Sequence, residues 1–385
     1  MVRHLNPSDL FSLTTFGDAR VSPDGKRVAY VRQYHDAERE KGFTDIYLVD
    51  VATGLSRRLT NSGKDKAPTW FPDSQRLAFV SERSGKNQIW VIDVTGGEAW
   101  QIPTRKPVQG GLTVAPDGKR LFFQCAAFSK ENDWAPYSGC PEGDRKRALD
   151  QARRQLESEE DATKKPDTPK PNDIKVITRL RYRLDGEGYF GDMRSQVFCV
   201  DVPGTPPTAP PKPDAGNEIQ LTAGDYDHTG AAVSPDGRYV VVSALRRDDA
   251  DYCQKNDLWL FQVERTCDLI SLEAKTRGPW LLYKAPGPAY SPAWSPSGQW
   301  IAFSGHDSKR GNTTRVDVWA LKVEDFVKAV NAGQMPNPLT LDDAQNLTGR
   351  QDRGIGGPRP EPTYSGRGSS LVWQGEDLLF ALADH

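Results

Sequence analysis

Short apolar blocks, each opened by a tight turn, recur along the whole chain. The clearest is Ala231-Ala-Val-Ser-Pro-Asp-Gly-Arg-Tyr-Val-Val-Val-Ser243. Proline presets φ at the turn, aspartate bonds its own backbone, and glycine takes the φ > 0 position. Tyr239 to Ser243 is β-branched and aromatic, which suits a strand packed between neighbouring sheets. Variants follow at Val21–Val31, Trp70–Val80, Val114–Phe123 and Trp294–Phe303, with a worn sixth at Leu371–Phe380. Most are followed by a second signature, Asp45-Ile-Tyr-Leu-Val-Asp-Val51 and its relatives at Gln88–Val94, Gln196–Val202, Asp257–Val263 and Asp317–Val323. A third short element often closes the unit, as in Arg58-Leu-Thr60, Gln220-Leu-Thr222 and Asn346-Leu-Thr348.

Pro23, Pro72 and Pro116 recur close to the roughly 40 to 50 residues of one four-stranded propeller blade. The pattern predicts an all-β chain: a β-propeller of four-stranded blades, with five blades and the start of a sixth. A short capped helix over Asn6–Leu13 sets off residues 1–15, and the incomplete propeller runs from 16 to 385. Blade three opens at Val114 but reaches its second signature only at Gln196, so an insertion of about 128–190 is expected. Within it, Asp144–Glu160 carries Leu149, Ala152 and Leu156 at helical spacing, and Lys164–Asp173 is too polar and proline-rich to bury anything. Pro203–Pro213 reads as a second exposed loop, and a small helix near Asp325–Val330 is stopped by Gly333. Residues 349–368 form a long connection. An array that stops inside a repeat leaves a sheet face uncovered, so the chain is expected to be the front portion of a longer protein.

Composition removes several functions. With 50 basic and 52 acidic residues and a net charge of −2, the chain lacks an electrostatic footprint for nucleic acid or an anionic membrane. No apolar run approaches the roughly 20 residues that cross a bilayer, and Met1–Pro7 lacks a signal-peptide core, so the cytosol is the expected compartment. The five cysteines, Cys125, Cys140, Cys199, Cys253 and Cys267, show no metal or redox spacing. Cys253 and Cys267 flank one strand, and reduced thiols are expected of both. No metal or other cofactor is called for.

The repeated turn and strand followed by the Asp-Ile-Trp/Tyr strand resembles the propellers of TolB-like proteins and of the prolyl oligopeptidase family of serine peptidases. Three further stretches are similar to acylaminoacyl-peptidase and dipeptidyl-aminopeptidase-type members: Leu5–Leu13 running into Gly17–Pro23, Ile177–Asp192 leading into Gln196, and Asp352-Arg-Gly-Ile-Gly356. The resemblance implies a seven-bladed propeller capping an α/β-hydrolase domain with a Ser-Asp-His triad, which takes short peptides and releases an N-terminal residue or dipeptide. That hydrolase domain is absent from this chain. No G-x-S-x-G elbow exists; Gly54-Leu-Ser-Arg-Arg58 lacks the second glycine. His306-Asp307-Ser308 and Asp227-His228 read as polar loops, since a triad gathers distant partners. No catalytic residue is therefore assigned, and the chain alone is expected to be inert.

The candidate substrate contacts are Arg179, Arg181, Tyr182, Arg183, Asp185 and Tyr189, crowded just before a strand. Alternation would place the three arginines on one face, and a solvated arginine face is the plainer account of them. Trp70, Trp90, Trp259, Trp294, Trp319 and Trp373 fall at equivalent repeat positions and read as packing between blades. The competing function is a non-catalytic TolB-like propeller that binds a protein or peptide. Self-association into a homo-oligomer is compatible with either.

Overall fold

In the computed structural model each Ser-Pro-Asp-Gly turn is held by its own side chains. Ser22 Oγ donates to Asp24 Oδ1 at 2.6 Å and accepts from Arg27 N at 2.9 Å. Ser234 repeats both bonds with Asp236 and Tyr239 N. Gly237 sits at φ 69°, a left-handed conformation that costs glycine little. Blade two has Ser74 at this place, with φ 56°, and carries the strain.

The structure describes residues 6–36, 38, 41–128, 180, 182–184, 188–189, 193–209, 211–212, 216–247, 249–250, 252–253, 255–263, 277–311, 314–351 and 371–380. Blade one comprises strands Thr15–Val21, Arg27–Asp36, Lys41–Asp50 and Ser56–Arg58. Blade two comprises Asp65–Trp70, Arg76–Ser81, Gln88–Asp93 and Trp100–Ile102. Blade three uses Val108–Val114, Arg120–Phe128, Met193–Asp201 and Ile219–Gln220. Blade four uses His228–Val233, Tyr239–Ala244, Asp257–Gln262 and Arg277–Tyr283. Blade five uses Ala289–Trp294, Trp300–Gly305, Asp317–Lys322 and Ala344–Asn346. Each is an antiparallel sheet in chain order, and the worn sixth copy is the hairpin Val372–Gln374 and Asp377–Leu379. Five blades and the start of a sixth are what the repeat predicted.

The first strands of successive blades lie side by side, which fans the sheets about one axis. Each first strand is bulged near its middle, with Asp18, Ala67, Gly111, Gly230 or Ser291 in a left-handed conformation. The bulge sharpens the local twist that a radial sheet needs. Apolar side chains then pack blade on blade. Ala29, Val31, Ile46 and Leu48 of blade one meet Leu77, Phe79 and Ile92 of blade two. Ala78, Val80, Ile89 and Val91 on the other face of blade two meet Leu121, Phe123, Phe198 and Val200. Burying each such side chain is worth about 1.5–3 kcal/mol.

Polar clips accompany the packing. Trp70 Nε1 donates to Arg20 O at 2.8 Å, Trp294 Nε1 to Ala232 O at 3.2 Å, and Trp373 Nε1 to Ala293 O at 3.1 Å. Thr69 and Thr113 hydroxyls donate to Leu112 O and Ala231 O across the two joints between. Arg27 and Arg120 each reach a carbonyl in the next blade's turn, Ser74 O and Gly237 O.

Several expectations need correction. The first helix is a 3₁₀ turn over Pro7–Ser12, because Asp9 turns back to accept from Asn6 N and pins a single tight turn. The tryptophans occupy two repeat positions, not one. Trp70, Trp294 and Trp373 lie on first strands, whereas Trp90, Trp259 and Trp319 lie on third strands. The last strand is Asp377–Leu379 within a hairpin, while residues 381–383 lie outside the described residues. The helix Glu324–Asn331 forms as expected, with Gly333 at φ 74° beyond it. Residues 203–209 are exposed or partly so and without strands. The predicted helix over 144–160 and the linker over 164–173 lie outside the described residues, as do Cys140 and Cys267. Cys125, Cys199 and Cys253 are free thiols.

Candidate functional site

The end of the blades opposite the Ser-Pro-Asp-Gly turns carries the chemistry. There, second strands pass into third strands, and fourth strands pass into the next blade.

The third strand of every complete blade carries a buried acid or amide at one register position, Asp45, Gln88, Gln196, Asp257 or Asp317. Its partner is the threonine that ends the third short element. Thr60, Thr222 and Thr348 hydroxyls accept from Ile46 N, Val197 N and Val318 N at 2.9–3.0 Å. Thr222 then donates to Gln196 Oε1 at 2.7 Å, and Thr348 to Asp317 Oδ1 at 3.2 Å. Arginines neutralise the acids: Arg58 on Asp45 at 2.6 Å, Arg315 on Asp317 at 2.9 Å, and a two-pronged Arg247 on Asp257. A buried carboxylate persists only with such partners. These groups fasten the fourth strand and are structural. The recurring Asp/Gln and Thr pair was visible in the sequence as the signal for them.

A second arrangement recurs in blades two and four. Arg83 lies over the Trp90 ring at 4.8 Å and pairs with buried Asp65 at 2.8 Å. Burial pushes the Asp65 carboxyl up, but hydrogen bonds from Ser62, Ser81 and Arg83 outweigh it and hold it below the usual value. In blade four Arg246 lies over Trp259 at 5.2 Å and over Tyr226 at 5.0 Å. Here its partner is His228, with Nη1 to Nε2 at 2.9 Å. Asp65 faces Ser81 across its strand pair and His228 faces Ala244, so the two occupy one repeat position. His228 is fully buried, and burial followed by the Arg246 charge pushes its imidazole down to about 3. The expected polar loop at Asp227-His228 is thus wrong for His228, which begins a buried strand. Asp227 accepts from Ser195 N at 2.7 Å.

His306, Asp307 and Ser308 do form a loop beyond a strand. His306 Nδ1 accepts from Ser308 N at 3.1 Å, and Asp307 pairs with Lys309 at 2.6 Å, so the three residues close a turn. Burial lowers the His306 imidazole, against the pull of Asp307 and Asp317. Among the described residues, no group of three or more His, Cys, Asp or Glu is placed to hold a metal.

The predicted substrate contacts fall in the connection that enters the third strand of blade three. A two-residue hairpin forms there, pairing Arg183 with Tyr189 and Leu184 with Gly188. Arg183 and Tyr182 are exposed, the latter 42 %. Arg179, Arg181 and Asp185 lie outside the described residues. The strand that would set three arginines on one face covers Arg183–Leu184 alone among the described residues, so that alternation is not seen.

Residues 14–133 match the TolB beta propeller domain. Over 262 residues the chain is 25% identical to the uncharacterized peptidase YuxL of Bacillus subtilis, covering 68% of this chain and 34% of that protein. Over 121 residues it is 29% identical to dipeptidyl-peptidase 5 of Porphyromonas gingivalis, covering 31% and 18%. The fold superposes on Pyrococcus horikoshii acylaminoacyl peptidase with a TM-score of 0.54 at 14% identity, over 90% of this chain and 41% of the other. The chain is a β-propeller whose first third is similar to the TolB beta propeller domain, and peptidases are among the proteins it resembles. This propeller spans about a third of YuxL and less of dipeptidyl-peptidase 5. Among the described residues, no helix is long and apolar enough to cross a membrane.

Proposed function

We propose that this chain is the substrate-gating propeller of a cytoplasmic serine exopeptidase of the prolyl oligopeptidase family. Its α/β-hydrolase partner domain carries the Ser-Asp-His triad, and short peptides reach that domain past the propeller, losing an N-terminal acylated residue or a dipeptide. The observation that carries this reading is the match to YuxL across most of the chain, and the fold it shares with acylaminoacyl peptidase agrees with it. Inside the propeller His228 is engaged by Arg246 and His306 by a turn, and this reading assigns the chemistry to a separate domain. Tyr182 and Arg183 are exposed, and this reading has them offer a cation and an aromatic edge to a peptide terminus or carbonyl.

A second reading, a non-catalytic propeller binding a protein or peptide, draws on the TolB match over residues 14–133. Chromogenic acyl-aminoacyl and dipeptidyl substrates separate the two. The chain alone should leave both uncleaved, and the chain joined to a hydrolase domain with a G-x-S-x-G elbow should cleave one of them. In that joined protein Arg183→Ala should raise KM about tenfold at unchanged kcat, as loss of uniform binding does. A joined protein with no turnover of either substrate would favour the binding module.

A further inference from the structure

The joint between blades three and four differs from its counterpart in one respect, and the difference has a consequence for acid. In blade two the seat beside the arginine is filled by a carboxylate, which attracts Arg83 whenever it is ionised. In blade four the seat is filled by an imidazole. Arginine is a donor only and stays charged, so His228 Nε2 must be the acceptor and the ring must be neutral. A proton on Nε2 would remove the acceptor and set two cations 2.9 Å apart, one of them on a fully buried imidazole.

The surroundings provide little relief. The ring edge packs on Phe261, and its backbone carbonyl accepts from Gln124 Nε2. Arg246 lies between Tyr226 and Trp259 and reaches Ala223 O. The charged neighbours are already engaged: Asp227 with Ser195 N, Asp225 with Arg194, and Asp257 with Arg247.

We propose that this joint is an acid-sensitive latch: protonation of His228 expels Arg246 from its seat between Tyr226 and Trp259 and releases residues 223–228, which connect the two blades. Blade three carries the long connection that ends in the Arg183–Tyr189 hairpin, and the third strand that follows is tied to the latch through Arg194 with Asp225 and Ser195 with Asp227. The latch is independent of any peptidase role, and its test needs no catalysis.

The test is amide hydrogen exchange on the intact chain from pH 7 to pH 4, corrected for intrinsic exchange, in the wild type and His228→Gln. Glutamine offers a neutral acceptor that does not titrate. In the wild type, opening of 223–228 should rise about tenfold per pH unit below 6.5, down to about 3. In His228→Gln it should stay flat, and the 60–65 connection beside Asp65 should stay flat in both. Equal pH dependence in both proteins, or none in the wild type, overturns the latch. If the variant fails to fold, the imidazole NMR signals of the wild type decide. A His228 ring that stays neutral to below pH 5 supports the latch, and one that titrates near 6.5 without local opening contradicts it.

Discussion

Blade two and blade four solve the same problem with different partners. Each places an arginine over the tryptophan of its third strand and must then satisfy that guanidinium at the buried start of its first strand. Blade two uses Asp65, so the pair is an ion pair in which each charge offsets the other's desolvation. Blade four uses His228, so a single charge is held by an acceptor and two aromatic faces. The lesson is that the repeat conserves a shape and a cation while leaving the sign of the partner open. The choice of partner fixes how each joint responds to pH.

Three measurements bear on these two joints, and a fourth on the third-strand anchor of blade five. Asp65→Ala strands the Arg83 charge against Trp90 and should cost about 3 kcal/mol in denaturant unfolding. A loss under 1 kcal/mol would show that solvent serves Arg83 well enough. His228→Ala leaves Arg246 with its aromatic seat but opens a hole against Phe261, at about 2 kcal/mol. Acid titration comes next. The His228 value lies below that of the unfolded chain, so its contribution is full above pH 6.5 and declines as pH falls toward about 3, at about 1.4 kcal/mol per unit. Asp65 is likewise lowered, and its contribution is full above 3.8 and lost only below it. Urea midpoints should therefore fall more steeply below pH 6.5 in the wild type than in His228→Gln, where the lowered His306 and, below 3.8, Asp65 still titrate. The smallest effect is expected for Thr348→Val, which removes the hydroxyl that serves Val318 N and Asp317 and should cost about 1 kcal/mol.

The blades were legible because their determinants are local. The turn bonds of Ser22 and Ser234 span at most five residues, and turn chemistry of that range can be read from the chain itself. The joints were harder. Arg27 meets Ser74 and Arg120 meets Gly237 across whole blades, and nothing near Arg120 announces its partner. His228 reads as a loop residue because aspartate and histidine after the short polar connection Ala223-Gly-Asp-Tyr226 look solvent-facing. Aligning the repeats by strand register, not by their turns, would have set His228 over Asp65 and exposed the substitution. For the candidate site, Arg183 is exposed in the strand Arg183–Leu184 and Tyr182 is exposed just before it, and Tyr189 is placed by its backbone pairing.

The most direct test of the functional account is labelling with a fluorophosphonate, which reacts with activated serines. The 385-residue chain should take up no label, and joining it to a G-x-S-x-G hydrolase domain should give one labelled serine, located in that domain. Stoichiometric labelling of a serine within these residues would show a nucleophile already built into the propeller and would contradict the account.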